Sequence, residues 1–266
     1  MKRLLCSVFA VLFSTWAHAH VPPTALADAT DLYAKFDELL RQRQAEGKLP
    51  TLKRPKDRDL LRKLWDHEAL IGAPPYDASD QDTLFFIMAK SGTLAKPYVQ
   101  GGPSLHDEAT HSMAFLIRVV GASQPAFADY LAHQSNVAEL LRGSGAKARG
   151  GVEKMLRGAA ISLSDRALED KNKILLVEAL RTSGPYLAQS VSLDRRQAMI
   201  DLFVPLVGQL PVPAQESLKT FMEESRQPTA IYSVLTASSA RFAVVGFDPA
   251  SRSFSAPAFR LSGSNS

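Results

Sequence analysis

The chain has 266 residues, with 31 Lys and Arg against 27 Asp and Glu, 45% hydrophobic residues and one cysteine, Cys6. A charge balance so near neutral gives no footing for nucleic-acid binding. A lone cysteine within the first twenty residues excludes disulfides, thiolate nucleophiles and cysteine metal sites from everything after it. The length and composition suit a globular body with a sizeable core.

The first twenty residues, MKRLLCSVFAVLFSTWAHAH, place Lys2 and Arg3 before an apolar run, residues 4–16, and a small-x-small triplet, Ala17-His18-Ala19. This pattern predicts a secretory signal peptide over residues 1–19, cut after Ala19. An apolar run of about 13 residues is too short to span a bilayer, which takes about 20. Without Lys2 and Arg3 the charges are 29 against 27. The expected location is the periplasm, with no transmembrane segment after cleavage.

Beyond the signal, helical periodicity dominates. Asp28 with Asp31 predicts a helix start, Leu32, Phe36, Leu39 and Leu40 its apolar stripe, and Gly47 its end. KLPTLKRP reads as a polar linker. Pro55 opens a helix expected to run to Ile71, with Gly72 past its end. After a turn, Ser79 and Asp82 form a capping-box pattern before LFFIMA, residues 84–89, expected at the centre of the core. Ser104 with Asp107 predicts a capped helix over 105–120 carrying Leu105, Ala109, Leu116 and Val120 inward. Ser123 predicts another start, followed by Phe127, Leu131, Gln134, Ala138 and Leu141.

GSGAKARGG, residues 143–151, reads as a Gly-rich basic linker between two helical halves, 20–142 and 152–247. Further helices are expected over 152–161, 164–182, 194–207 and 213–224, with Pro205 kinking or ending the third. The tail, 248–266, is expected irregular. A β-hairpin pairing 242–247 with 254–259 competes there with a last helix over 229–245 and a disordered tail, the helix being expected at least through about 240. The expected fold is all-α, an irregular multi-helix bundle or helical array.

Candidate chemistry centres on two segments. In SLHDEATHSMAFLIRVV, His106 and His111 are five positions apart, roughly 140° around a helix, so they cannot share one ion. Glu108 and His111 have the Glu-x-x-His spacing of di-iron bundles, the weak metal alternative, but no second copy follows. No metal or other cofactor is therefore expected. Asp107, His111 and Arg118 fall on one outward face, with Asp107 and His111 paired at i,i+4. That row, with Lys147 and Arg149 of the Gly-rich segment, is the candidate binding surface. In LWDHEALI, His67 and Glu68 flank the apolar stripe of Leu60, Leu64 and Ile71, pointing towards the core or a groove. Glu68 with His67 is the candidate acid of an enzyme alternative, and Trp65 and Tyr76 lie nearby. Glu216-Ser217 shares a Glu-Ser pair with lytic transglycosylases but lacks their following Gly-rich run, so it carries no assignment.

Nucleophile elbows, β-lactamase motifs and P-loops are all missing from the sequence. The expected function is therefore binding: an exported helical protein that recognises another protein of the envelope, one concrete version being an immunity protein that neutralises a toxic effector. An enzyme acting on envelope polymers or lipids through carboxylates is the alternative, because such acids need no local signature. A lipid or small-ligand carrier lined by residues 84–88 is the third.

Overall fold

The structure, a computed structural model, describes residues 20–133, 137–191 and 193–227, and over 137–149 it describes the backbone alone. The signal segment, the C-terminal hairpin or helix, the tail, and the Lys147 and Arg149 side chains lie outside the described residues. Within them the all-α expectation holds: every regular element is helical. No helix there is long and apolar enough to cross a membrane.

Helix α1 spans Ala25–Ala45 and buries Ala25, Ala29, Tyr33 and Phe36. The stripe thus starts one turn before the expected cap and uses small residues, which let the helix pack closely. Helix α2 (Pro55–Leu64) ends earlier than expected, because Asp66 caps a separate helix α3 (His67–Ile71) by accepting from the Ala69 N–H at 3.1 Å. That bond draws the backbone of Asp66 out of helix and breaks the continuity to Ile71. KLPTLKRP is no loose linker. Pro50 accepts from the Tyr98 hydroxyl, Thr51 N–H donates to Asp57, and Leu52 N–H donates to Glu108 at 2.6 Å.

Helix α4 (Gln81–Val99) follows a 3₁₀ turn, Ala78–Asp80, whose capping box is made by Asp77 and Asp80 rather than by Ser79 and Asp82. Within LFFIMA only Leu84 and Ile87 are fully buried, and Phe85, Phe86 and Met88 are half-buried. Helix α5 (His106–Ala132) is the longest with described side chains and runs unbroken through Gly121 and Pro125. The expected break at Ser123 is absent because Gly121, Ala122, Ser123 and Ala126 are buried against neighbours on both sides. Tertiary packing here outweighs the local breakers.

Helix α6 (Val137–Ser164) continues through residues 143–151, so the expected linker is helical. Glycine weakens a helix by about 1 kcal/mol relative to Ala. The following turns bury Val152, Leu156, Ala159, Ala160 and Leu163, which anchors the helix from its other end. Helices α7 (Asp170–Gln189), α8 (Leu193–Asp201) and α9 (Val212–Arg226) complete the described chain, with a 3₁₀ segment, Val204–Gln209, replacing the helix expected up to 207.

Paired contacts fix the helix directions. Asp107 meets Asn172 near one end of α5 and α7, and Gly121 abuts Ser183 towards the other. Likewise Glu178 bonds Ser217, and Gly184 abuts Phe221. So α5, α7 and α9 lie side by side in the same direction. Helix α4 opposes α5, with Phe85 against Phe127 and Met88 against Ser123. Parallel neighbours need a return connection, which α6 and α8 supply. The result is a stacked array of helical hairpins. Two apolar clusters form on it, one over α1–α4 and one over α6–α9, and α5 belongs to both: Phe115, Val119, Ala122 and Ala126 face the first, Ala114 and Ile117 the second.

Candidate functional site

Asp107, His111 and Arg118 do share one face of α5, and that face forms the floor of a seam. The α2–α3 corner is one wall, α7 with α9 the other. The expected local roles change, however. A 3₁₀ turn, Pro103–Leu105, leads into α5, and the cap position is Leu105 with no side-chain bond, so Ser104 and Asp107 make no capping box. Asp107 reaches across instead. Its carboxylate accepts from Asn172 Nδ2 at 2.7 Å and from Lys171 Nζ at 3.2 Å. Burial pushes the Asp107 carboxyl up, but these bonds and the charges of Lys171 and His111 outweigh it and hold it below its usual value. Beside it lies a polar cleft of about 90 Å³ lined by Lys53, Ser104, His106, Glu169 and Asn172. Organic ligand pockets are typically some 300–1,000 Å³.

His111 is not ion-paired with the Asp107 side chain. Its Nδ1–H donates to the Asp107 backbone carbonyl at 2.8 Å, and its ring lies 5.8 Å from that of Trp65. Trp65 in turn meets Tyr98 edge-on at 5.8 Å. The α2–α3 break places that indole. Glu108 points the other way, 1% exposed, with Oε1 on the Leu52 N–H. The weak metal alternative therefore places its acid in a structural clamp and its histidine on an aromatic stack.

Further along, Arg118 Nη1 lies 3.4 Å from His67 Nδ1. Burial, reinforced by the Arg118 charge, lowers the His67 pKa against the opposing pull of Glu68 and Asp66. The imidazole is thus neutral at pH 7 and accepts from the guanidinium. Arg118 itself is half-buried; burial lowers its pKa, and the carboxylates of Glu178 and Glu68 oppose that. A guanidinium there stays charged. Its Nε has no hydrogen-bond partner among the described residues.

Glu178, on α7, takes a hydrogen bond from Ser217 Oγ at 2.6 Å and from Arg181 Nε at 2.9 Å. Burial raises its pKa, yet Ser217, Arg181 and Arg118 together leave it lowered. A general acid needs the opposite shift. Glu68 is exposed, and its charged neighbours include Arg118. The sequence candidates His67, Glu68 and Arg118 are thus brought together, with Glu178 and Ser217 added from α7 and α9. Neither addition was visible from local pattern, since Glu178 is 60 residues from Arg118 in sequence. Lys154 and Arg157, which extend the basic segment, are exposed on α6.

Among the described residues, the ligand-type side chains that converge are His20, Asp77 and Asp80, with ligand atoms all within 4.8 Å of one another. Comparison with family models, with curated proteins and with solved structures found no match for this chain.

Proposed function

We propose that this chain is an exported helical protein that binds another protein of the cell envelope, and that the α5 seam around Arg118 is its contact face. The immunity protein remains the concrete version of this reading. One observation carries it: Arg118 sits half-buried at the seam with its guanidinium against His67 Nδ1 and the charges of Glu68 and Glu178 close by. Arginine is enriched among the residues that dominate binding energy, and a side chain fixed in advance loses less entropy on binding. A stack of parallel helices also offers a broad ladder of side chains along one edge.

The carboxylate-enzyme alternative draws less support. Glu178 is stabilised in its charged form, and Glu68 shares the same cation. The carrier alternative is weaker still, because Leu84 and Ile87 are packed at 0% exposure within the first core. The test is cross-linking of the chain lacking residues 1–19 to envelope extract, wild type against Arg118→Glu. A discrete protein captured by the wild type and lost with Arg118→Glu, at unchanged helicity, is the expected result. Turnover of peptidoglycan or phospholipid by the purified protein, abolished by Glu68→Gln, would overturn it.

A further inference from the structure

The start of the described chain is built around one buried carboxylate. Asp80, 5% exposed, accepts the Val21 N–H on Oδ1 and the Asp77 N–H on Oδ2, both at 3.1 Å. The same Oδ2 faces His20 Nδ1 at 3.1 Å, and Asp77 Oδ2 lies 3.7 Å from that nitrogen. The turn carrying both acids is anchored from α5, where Asp129 accepts the Ala78 N–H at 2.9 Å. On the other side the His20 carbonyl packs on Gly72. A Cβ there would come within 2.7 Å of it, and Gly72 has φ +63°, which favours glycine. These contacts hold the backbone of residues 20 and 21 beside the two carboxylates.

The expected export signal adds a second feature. A cut after Ala19 makes His20 the first residue, so its nitrogen becomes a free α-amino group. The α-amino nitrogen and Nδ1 of one histidine close a six-membered chelate ring on a metal. Only Nδ1 allows this, and Nδ1 is the nitrogen aimed at Asp77 and Asp80.

We propose that the processed chain binds one divalent transition-metal ion, Cu(II) foremost, through the α-amino group and Nδ1 of His20 and the carboxylates of Asp77 and Asp80. The proposal rests on the export half of the functional reading and is independent of the partner half. Two nitrogens and two carboxylate oxygens suit a tetragonal Cu(II) or Ni(II) site, and Cu(II) heads the affinity order of the divalent series. The ligands must shed protons to bind, so affinity rises with pH over the range where the amine and imidazole deprotonate. The apolar cores run from Val21 to Met222, so a chain beginning at His20 keeps both.

The experiment uses residues 20–266 with an authentic His20 terminus checked by mass spectrometry, stripped of metal and titrated with Cu(II) against a competing chelator. The expected result is one Cu(II) per chain, with nitrogen couplings in the electron paramagnetic resonance spectrum. A chain whose His20 amine is acetylated keeps every side chain but blocks the amine. It is expected to bind at least roughly 10- to 100-fold more weakly, the range that loss of even outer support for a metal ligand produces. Asp77→Asn, at a half-exposed position that spares the buried Asp80, is expected to weaken binding as well. Equal affinity with and without the acetyl group, or no stoichiometric Cu(II) on the free His20-terminated chain, overturns the site. An exported protein whose terminus is found elsewhere than His20 overturns the export premise instead.

Discussion

The layer formed by α1–α4 and the layer formed by α6–α9 close on α5 by different means. The first is tied by buried carboxylates. Asp57, 0% exposed, takes Arg43 and the Thr51 N–H, Glu108 takes Leu52, and Asp80 takes Val21 and Asp77. The second closes mainly by shape. Gly121 lets Ser183 approach, so that a Cβ would lie 2.6 Å from the serine Cβ, and Gly184 lets the Phe221 ring approach to 2.5 Å of the same point. Phe203 meets Phe221 edge-on at 5.2 Å. The reason lies in the connections. Short helices with extended connectors leave backbone N–H groups that must find acceptors. Long helices satisfy their own and need only fit. Polar side chains that neither layer absorbs collect where the layers meet, along the Arg118 row.

The largest effect expected of this contrast is at Asp57. Asp57→Ala leaves Arg43 with only Glu46 and strands the Thr51 N–H, and is expected to cost about 3 kcal/mol in urea denaturation, the low end of the range for breaking a buried pair from one side. A loss below about 1 kcal/mol would mean that charge does not close the first layer.

In the second layer Gly184→Val drives a side chain into Phe221 and is expected to cost about 1–3 kcal/mol, typical of overpacking. Phe221→Leu in the same chain should recover part of that loss, because the two positions touch. Full additivity would show that the glycine matters for another reason.

A sharper test asks whether the layers unfold separately. Trp65 is the one tryptophan beyond the first twenty residues, and it sits in the first layer. Because α5 serves both cores, its fluorescence transition should coincide with the far-ultraviolet dichroism transition in wild type, Asp57→Ala and Gly184→Val alike. Separate midpoints would make α5 the property of one layer only.

The smallest effect concerns pH. The His67 pKa is lowered on folding from 6.5, so between the lowered value and 6.5 the unfolded chain binds more protons. His67 therefore costs stability as pH falls through that window, and His67→Gln should flatten the slope by a fraction of a kcal/mol. His20 acts with the opposite sign. Its pKa is raised, chiefly by the Asp80 hydrogen bond, so its contribution is full below 6.5 and is lost as pH rises through the raised value. A steeper acid slope in His67→Gln would contradict the neutral, accepting imidazole.

The helical class and most helix positions were legible because periodicity is local. What was not legible depended on partners distant in the chain. Asp107 read as part of a cap and Glu108 as a weak metal ligand, and each instead serves a backbone or side chain more than 50 residues away. Ser123 and residues 143–151 looked like breaks, and packing on the flanking turns carries the helix through both. Some local signals were misread too: an aspartate before His67 is a cap, and it divides a helix that periodicity alone made continuous. The row Asp107, His111, Arg118 was found from spacing, but Glu178 and Ser217 come from helices that only the stack brings alongside.

The seam at Arg118 is proposed as a protein-contact face. The direct measurement is the affinity of the captured envelope partner for the wild-type chain and for Arg118→Glu, each shown by dichroism to be folded. At a true hot spot the charge reversal weakens binding by about 30-fold or more, some 2 kcal/mol. Equal affinities for the two proteins, or no discrete partner for the wild type, would contradict it.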